Sequence, residues 1–189
     1  MWHGCMKDCI LYHKEFTLLL KCPVCDEKRY EGPAHHAKPR KVFRVFSLQD
    51  HIRNMYADPK LAEAIHKYTS AAADRTEADN ESMHDICHSP AWKEAVADPN
   101  IGLAERYLFA GLWTDGVNPF AKENNNYSMW PFIMNFFGLP SWLRNTFDNV
   151  FCWGLVPGPR EPKSLQAYLD FFTDELNDLY LEGKEHFPC

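Results

Sequence analysis

No stretch of this chain stays apolar for long enough to cross a membrane. The most apolar window, Tyr127 to Leu139, is short and is interrupted by Pro131 and Asn135, whereas a spanning helix needs about 20 apolar residues. A secretory leader is also missing: Met1-Trp2-His3-Gly4-Cys5 offers neither a charged n-region nor an apolar h-region. The expectation is therefore a soluble intracellular protein without a membrane partner. Positive charge is not in excess either. The net charge of −6 argues against a chain that coats nucleic acid over its whole surface, but leaves room for a local basic patch. Core-forming residues are plentiful, with 46% apolar residues and 13 Phe, 8 Tyr and 6 Trp, which excludes general disorder. At 189 residues the chain holds one medium domain or two small ones.

Seven cysteines are present. In an intracellular setting they are expected as ligands or buried thiols rather than disulfides. Four fall in a pattern: Cys5-x3-Cys9, twelve residues, then Cys22-Pro23-Val24-Cys25. Two close pairs joined by a short loop can set four thiolates at the corners of a tetrahedron, so structural zinc is expected. The intervening Ile10-Leu11-Tyr12 and Phe16 to Leu20 are predicted to form a small hairpin. So short a unit lacks the apolar area to fold unaided, and a metal would supply the difference. The alternative is four unrelated thiols. A basic segment follows, with Lys28, Arg29, Lys38, Arg40, Lys41 and Arg44 opposed only by Glu31. It reads as a phosphate-contacting strip or as a solvated linker. Pro33, Pro39 and His35-His36 predict irregular backbone there.

The middle of the chain reads as helical. Ser47 caps a helix that places Leu48, Ile52, Met55 and Tyr56 on one face. Asp58-Pro59 ends it and starts another, striped by Leu61, Ile65 and Tyr68. Ser70 to Ser82, small and acidic, predict a flexible connection. Ser89-Pro90-Ala91-Trp92 opens a further short helix that stops near Asp98-Pro99. His84, Cys87 and His88 have no second cluster to join and read as ordinary loop residues.

The second half turns on Leu112-Trp113-Thr114-Asp115-Gly116-Val117-Asn118-Pro119-Phe120. Arg106 to Gly111 before it is apolar and strand-like. An acid at the end of a buried strand, against a run of turn formers, is a place to grip a metal ion; equally, Asp-Gly closes a β-hairpin. Tyr127 to Phe137 and Asn149 to Val156 predict two more strands. Pro162-Lys163-Ser164 then introduces an amphipathic helix with Leu165, Tyr168, Leu169, Phe172, Leu176 and Leu179 at helical spacing, capped by Ser164 and closed by Gly183. Asp170, Asp174 and Asp178 recur every four residues and read as its wet face. Three meandering strands followed by a helix, with an acid on the first strand, match the opening of an RNase H-like nuclease domain.

These motifs, taken in order, resemble the transposases of CACTA (En/Spm-type) DNA transposons. The resemblance rests on the paired cysteines, Lys41-Val42-Phe43-Arg44-Val45-Phe46, Leu112 to Phe120, Tyr127-Ser128-x-Trp130-Pro131, Leu155-Val156-Pro157-Gly158-Pro159 and Asp174-Glu175-Leu176. It implies cut-and-paste transposition in the nucleus by an RNase H-like domain with three catalytic carboxylates and Mg²⁺, of which Asp115 is similar to the first. It also implies transposon-end DNA as partner, with self-association and without a small-molecule substrate. The second and third acids are not found in this chain, so the expectation is an N-terminal fragment, inactive alone. The alternative is a zinc-dependent DNA- or protein-binding module. The expected fold is α+β: a zinc-ribbon-like module with its basic strip at 1–46, a helical connector at 47–100, and half of an RNase H-like domain, three antiparallel strands plus a helix, at 101–189.

Overall fold

The computed structural model describes residues 1–73, 83–98, 108–120 and 127–186. Among the described residues the strands are β1 (Trp2–His3), β2 (Tyr30–Glu31), β3 (Lys38–Pro39), β4 (Val42–Val45), β5 (Ala110–Thr114), β6 (Trp130–Phe136) and β7 (Phe151–Val156). The α-helices among them are α1 (Leu48–Ala57), α2 (Pro59–Ala73), α3 (Pro90–Ala97), α4 (Ser141–Arg144) and α5 (Gln166–His186). Strands β2 and β3 pair alone, and the other five form one sheet in the order β1-β4-β7-β6-β5. The predicted three strands are there. Two strands from the first fifty residues extend their sheet: β4 pairs antiparallel with β7, Arg44 opposite Leu155 and Val45 opposite Gly154, and β1 pairs with β4. The flank of β7 is thus covered by the chain's own N-terminal strands rather than left as an open edge.

The chain divides into two compact units, Met1–Gln49 with Thr114–Phe132 and Cys152–Cys189, and Asp50–Trp113 with Ile133–Phe151. In the first unit, Phe43, Phe132, Trp153 and Tyr168 are fully buried and meet edge to face, Phe43 to Trp153 at 5.6 Å and Phe43 to Tyr168 at 4.9 Å. Helix α5 faces them with Tyr168, Phe171, Phe172 and Glu175, a stripe at i, i+3, i+4 and i+7. Ser164 Oγ accepts from the Gln166 N–H at 3.2 Å, as its capping role requires. Leu176, expected to face inward, is exposed, because Phe171 takes the inward place. Gly183 does not close the helix, which runs on to His186. An interior glycine costs only about 1 kcal/mol, too little to stop a helix on its own.

In the second unit, His51 on α1 stacks on Phe151 at 4.2 Å and on Phe136 at 5.4 Å. Met55 is buried as expected, as is Leu48 in the first unit, while Tyr56 is exposed, since His51 takes the inward position. Asp58 Oδ1 caps α2 through the Lys60 N–H at 2.9 Å. That helix extends to Ala73, so the predicted connection starts later than Ser70. Alanine's helix propensity carries it. The remainder of that connection, 74–82, lies outside the described residues, as does Arg106-Tyr107 of the strand-like run before Asp115. Ser89 Oγ accepts from Trp92 N–H at 3.2 Å at the start of α3. Cys87 is buried in a short 3-10 turn rather than lying in an open loop.

Candidate metal centre and the Asp115 turn

Cys5, Cys9, Cys22 and Cys25 bring one sulfur each to within 4.8 Å of one another. No hairpin joins the pairs. A 3-10 turn at Lys14–Phe16 lies between them, and each pair builds its own knuckle. In the first, Cys5 N–H donates to Ile10 O and Asp8 N–H to Cys5 O; in the second, Cys22 N–H donates to Glu27 O and Asp26 N–H to Cys22 O. Asp8 and Asp26 sit at φ of 59° and 57°, a left-handed conformation that aspartate tolerates better than most residues. This conformation turns the backbone tightly enough to aim two thiols at one point. Cys5, Ile10, Tyr12 and Cys22 form a buried cluster against which Phe16 and Leu19 pack.

Tetrahedral zinc with sulfur at about 2.3 Å places its ligands about 3.8 Å apart, and the Cys5 and Cys25 sulfurs are 3.4 Å apart. The donor set, spacing and burial fit a metal ion. Bare, the Cys5 and Cys9 thiols resist ionisation. Burial and the neighbouring thiols push Cys9 up to about 12, and burial raises Cys5. Burial also works against Cys25, but donors from the Glu27 backbone and the other thiols bring it below its ordinary value. A bound cation would deprotonate the thiols outright.

A buried ion pair locks the first knuckle into its unit. Asp8, inside the Cys5–Cys9 loop, pairs with Lys41 next to β4 and accepts a hydrogen bond from Tyr168 on α5 at 2.6 Å. Lys41 is therefore buried, not presented to a ligand. Two more of the basic strip turn inward: Arg29 donates to His3 Nδ1 and to the carbonyls of Thr17 and Leu19, and Arg40 pairs with Glu27 at 2.6 Å. Lys28, Lys38 and Arg44 are exposed. The strip's backbone is more regular than predicted, since Tyr30 pairs with Pro39 and Glu31 with Lys38 across β2 and β3.

Asp115 follows directly on β5, which lies at the edge of the sheet. The strand is half-exposed rather than buried, and Asp115 is exposed. Nor does Asp115-Gly116 form the hairpin's turn, because Val117 pairs again with Met129 beyond it, through two hydrogen bonds of 2.8 and 3.0 Å. Two residues back along each strand, Asp115 lies opposite Pro131. Proline has no N–H to donate, so the ladder breaks at the acid. Asp115 Oδ1 folds back to accept the Gly116 N–H at 2.7 Å. Asn118 Oδ1 binds the Phe120 N–H at 2.9 Å. A side chain at 116 would place its first carbon 2.8 Å from Ser128 Oγ and 3.3 Å from the Trp130 ring, so glycine permits the close approach. Ser128 N–H donates to Pro159 O at 3.0 Å, and Gly158 N–H to Tyr127 Oη at 3.2 Å. Three sequence motifs, 112–120, 127–131 and 155–159, thus meet beside Asp115. Among the described residues, the cysteines are the one group of three or more potential ligands that converges; no second acid joins Asp115 there.

The description Transposase family tnp2 matches residues 79–188. The chain belongs to this transposase family. No curated protein and no solved structure matches it. The tnp2 match contains Asp115, strands β5 to β7 and helix α5, while the cysteine centre and basic strip precede it. The acidic row on α5 keeps a structural role: Asp174 pairs with Lys14 at 2.7 Å and Asp170 accepts from Gln166 at 2.6 Å.

Sequence reasoning missed two groups that the tnp2 segment holds in place. Glu175 accepts from the Trp153 indole at 2.5 Å and from the Leu48 N–H at 3.1 Å. Arg144, nearly fully buried, makes a bidentate pair with Asp85 at 2.7 and 2.9 Å and also donates to Tyr68. Burial works against the Asp85 anion, but the Tyr68 and Arg144 donors hold its carboxyl below the ordinary carboxylate value. A lone cation in the aromatic run 127–156 was the available signal. Among the described residues, no helix is long and apolar enough to cross a membrane.

Proposed function

We propose that this chain is part of a cut-and-paste DNA transposase of the CACTA (En/Spm) type, with an RNase H-like catalytic domain in which Asp115 is the first of three catalytic carboxylates. The supporting observation is the tnp2 family match at 79–188, which encloses Asp115 and the strands and helix around it. In this reading residues 1–46 form a zinc-ribbon-like module, 47–100 a connector and 101–189 the beginning of the nuclease domain, and the protein acts on transposon ends in the nucleus. Zinc is the metal of the four-cysteine centre, because a closed set of four thiolates suits a tetrahedral structural ion.

In two-metal enzymes, Mg²⁺ ions held by several acids activate the attacking oxygen and stabilise the leaving one. The described residues do not fit such a pair. One exposed carboxylate, with one oxygen engaged by Gly116, cannot fill the octahedral needs of Mg²⁺. The chain by itself is therefore expected to cleave nothing. Incubating the purified chain with transposon-end DNA and Mg²⁺ should leave the DNA intact, equally for the Asp115→Ala variant. Cleavage that Asp115→Ala abolishes would overturn the inactive reading.

A second reading, a zinc-dependent DNA-binding module, draws on charge. Residues 1–46 carry nine Lys and Arg against five Asp and Glu, a net of +4, in a chain whose total is −6. Duplex binding that weakens steeply with salt supports it; binding insensitive to salt removes it.

A further inference from the structure

Resting on the zinc reading of the four-cysteine centre, we propose that Tyr12 is a positioning residue of that centre, whose O–H donates to the buried Cys5 and Cys22 thiolates when a metal is held. Tyr12 is 1% exposed. It packs in one cluster with Cys5, Ile10 and Cys22, with Phe16 and Leu19 against it. Its Oη is closed to solvent and has no hydrogen-bond partner, and among the described residues of the module it is the one buried side-chain oxygen or nitrogen in that condition. Burying a hydroxyl without a partner is costly. Phenylalanine would supply the same ring without that cost, so the hydroxyl calls for an acceptor.

Its surroundings name that acceptor. The Cys5 and Cys22 thiols are the charged neighbours the phenol feels most, followed by Arg29 and Cys25. Burial, together with those thiols, pushes the phenol up to about 12, so at neutral pH it keeps a proton to donate. A thiol sulfur is a weak acceptor and a thiolate a strong one, and a bound cation converts the first into the second. The hydroxyl therefore lacks a partner beside bare thiols and gains one beside a loaded centre. The loaded centre has the matching need. Four thiolates around a divalent ion leave a net negative charge, and two of the four, Cys5 and Cys22, are buried, where a charge requires donors. The Lys7 N–H serves the Cys5 sulfur at 3.3 Å, and Tyr12 adds a side-chain donor from within the core. Arg29 strengthens it. Its guanidinium lies over the Tyr12 ring at 4.5 Å, fixed by His3 Nδ1 and the Thr17 and Leu19 carbonyls, and a cation over the ring draws electrons from the phenol. Donors of this kind orient the ligands of a metal site and raise its affinity.

The test compares the full zinc-loaded chain with Tyr12→Phe, which keeps the ring and its packing and deletes only the hydroxyl. Zinc affinity is read by competition with a chromophoric chelator, and the cobalt-substituted forms are compared by their sulfur-to-cobalt charge-transfer band. Tyr12→Phe should weaken zinc binding about tenfold or more and move the band to longer wavelength, because a thiolate relieved of a hydrogen bond gives up its electrons more easily. Tyr30→Phe, in the same module, should change neither. An unaltered affinity in folded Tyr12→Phe overturns the proposal and leaves the hydroxyl to a buried water. A lower affinity with an unmoved band overturns it as well, since packing alone would then be responsible. Should Tyr12→Phe fail to fold, the wild type loaded with an NMR-active cadmium isotope still decides: a slowly exchanging Tyr12 hydroxyl proton coupled to the cadmium supports the bond, and absence of that coupling removes it. A wild-type chain that takes up no stoichiometric metal removes the zinc reading itself, a result distinct from each of these.

Discussion

The cysteine centre offers four potential metal ligands and the Asp115 turn one carboxylate, and they differ in where their parts come from. All four thiols lie between residues 5 and 25, and local turns at Asp8 and Asp26 bring them together. The Asp115 turn is assembled from three segments spread over residues 112 to 159, yet it presents a single carboxylate. The first site gathers four donors, and two of them, Cys5 and Cys22, double as core. The second is exposed at a sheet edge and contributes little to holding the fold. A loss at the cysteine centre should therefore be a loss of structure, and a loss at Asp115 should leave the fold standing.

The sharpest way to break this contrast is to remove a ligand. Cys22→Ser, or chelation of the wild type, should abolish the cooperative thermal transition of the first unit, because metal affinity in such centres is folding free energy, on the order of 10 kcal/mol. Metal content by mass spectrometry should fall from one zinc per chain to well below it; a chelated chain with an unchanged melting curve would refute the metal's structural role. Next in size is Arg144→Met, which leaves Asp85 buried and unpaired and should cost about 3–5 kcal/mol in urea unfolding. Adding Asp85→Asn should recover part of that, and a simple sum of the two losses would deny the coupling. Gly154→Ala would put a carbon 2.7 Å from Phe43 Cζ and should cost about 1–3 kcal/mol by overpacking.

The smallest effects complete the series. His51 is held below its ordinary value of 6.5 by burial between Phe136 and Phe151. Its folded state favours the neutral ring, so the unfolded chain binds more protons below pH 6.5. Stability is complete above that pH and should decline as the pH falls through it. His51→Phe should flatten this slope, and an unaltered pH profile would assign the acid sensitivity elsewhere. Asp115→Ala should move the melting temperature by less than about 2 °C; a larger drop would mean that the exposed acid is structural after all.

Local pattern determined much of this. The paired cysteine spacing, the caps at Asp58, Ser89 and Ser164, and the strands ending near Phe136 and Val156 depend on interactions within a few residues, which a sequence displays directly. The motifs around Asp115 were also legible as separate pieces. Their meeting was not, because it depends on Pro131 standing opposite Asp115 and on Ser128 filling the space beside Gly116. Tertiary structure alone decided that β4 and β1 extend the sheet beyond β7, and that Phe171 rather than Leu176 faces the core. It also decided which charges remain for a ligand. Arg40 and Lys41 read as members of one basic strip with Lys28 and Lys38, yet Glu27 and Asp8 neutralise them. The reason is physical: a side chain's charge is written in the sequence, but whether that charge meets solvent or a partner depends on contacts made across the fold.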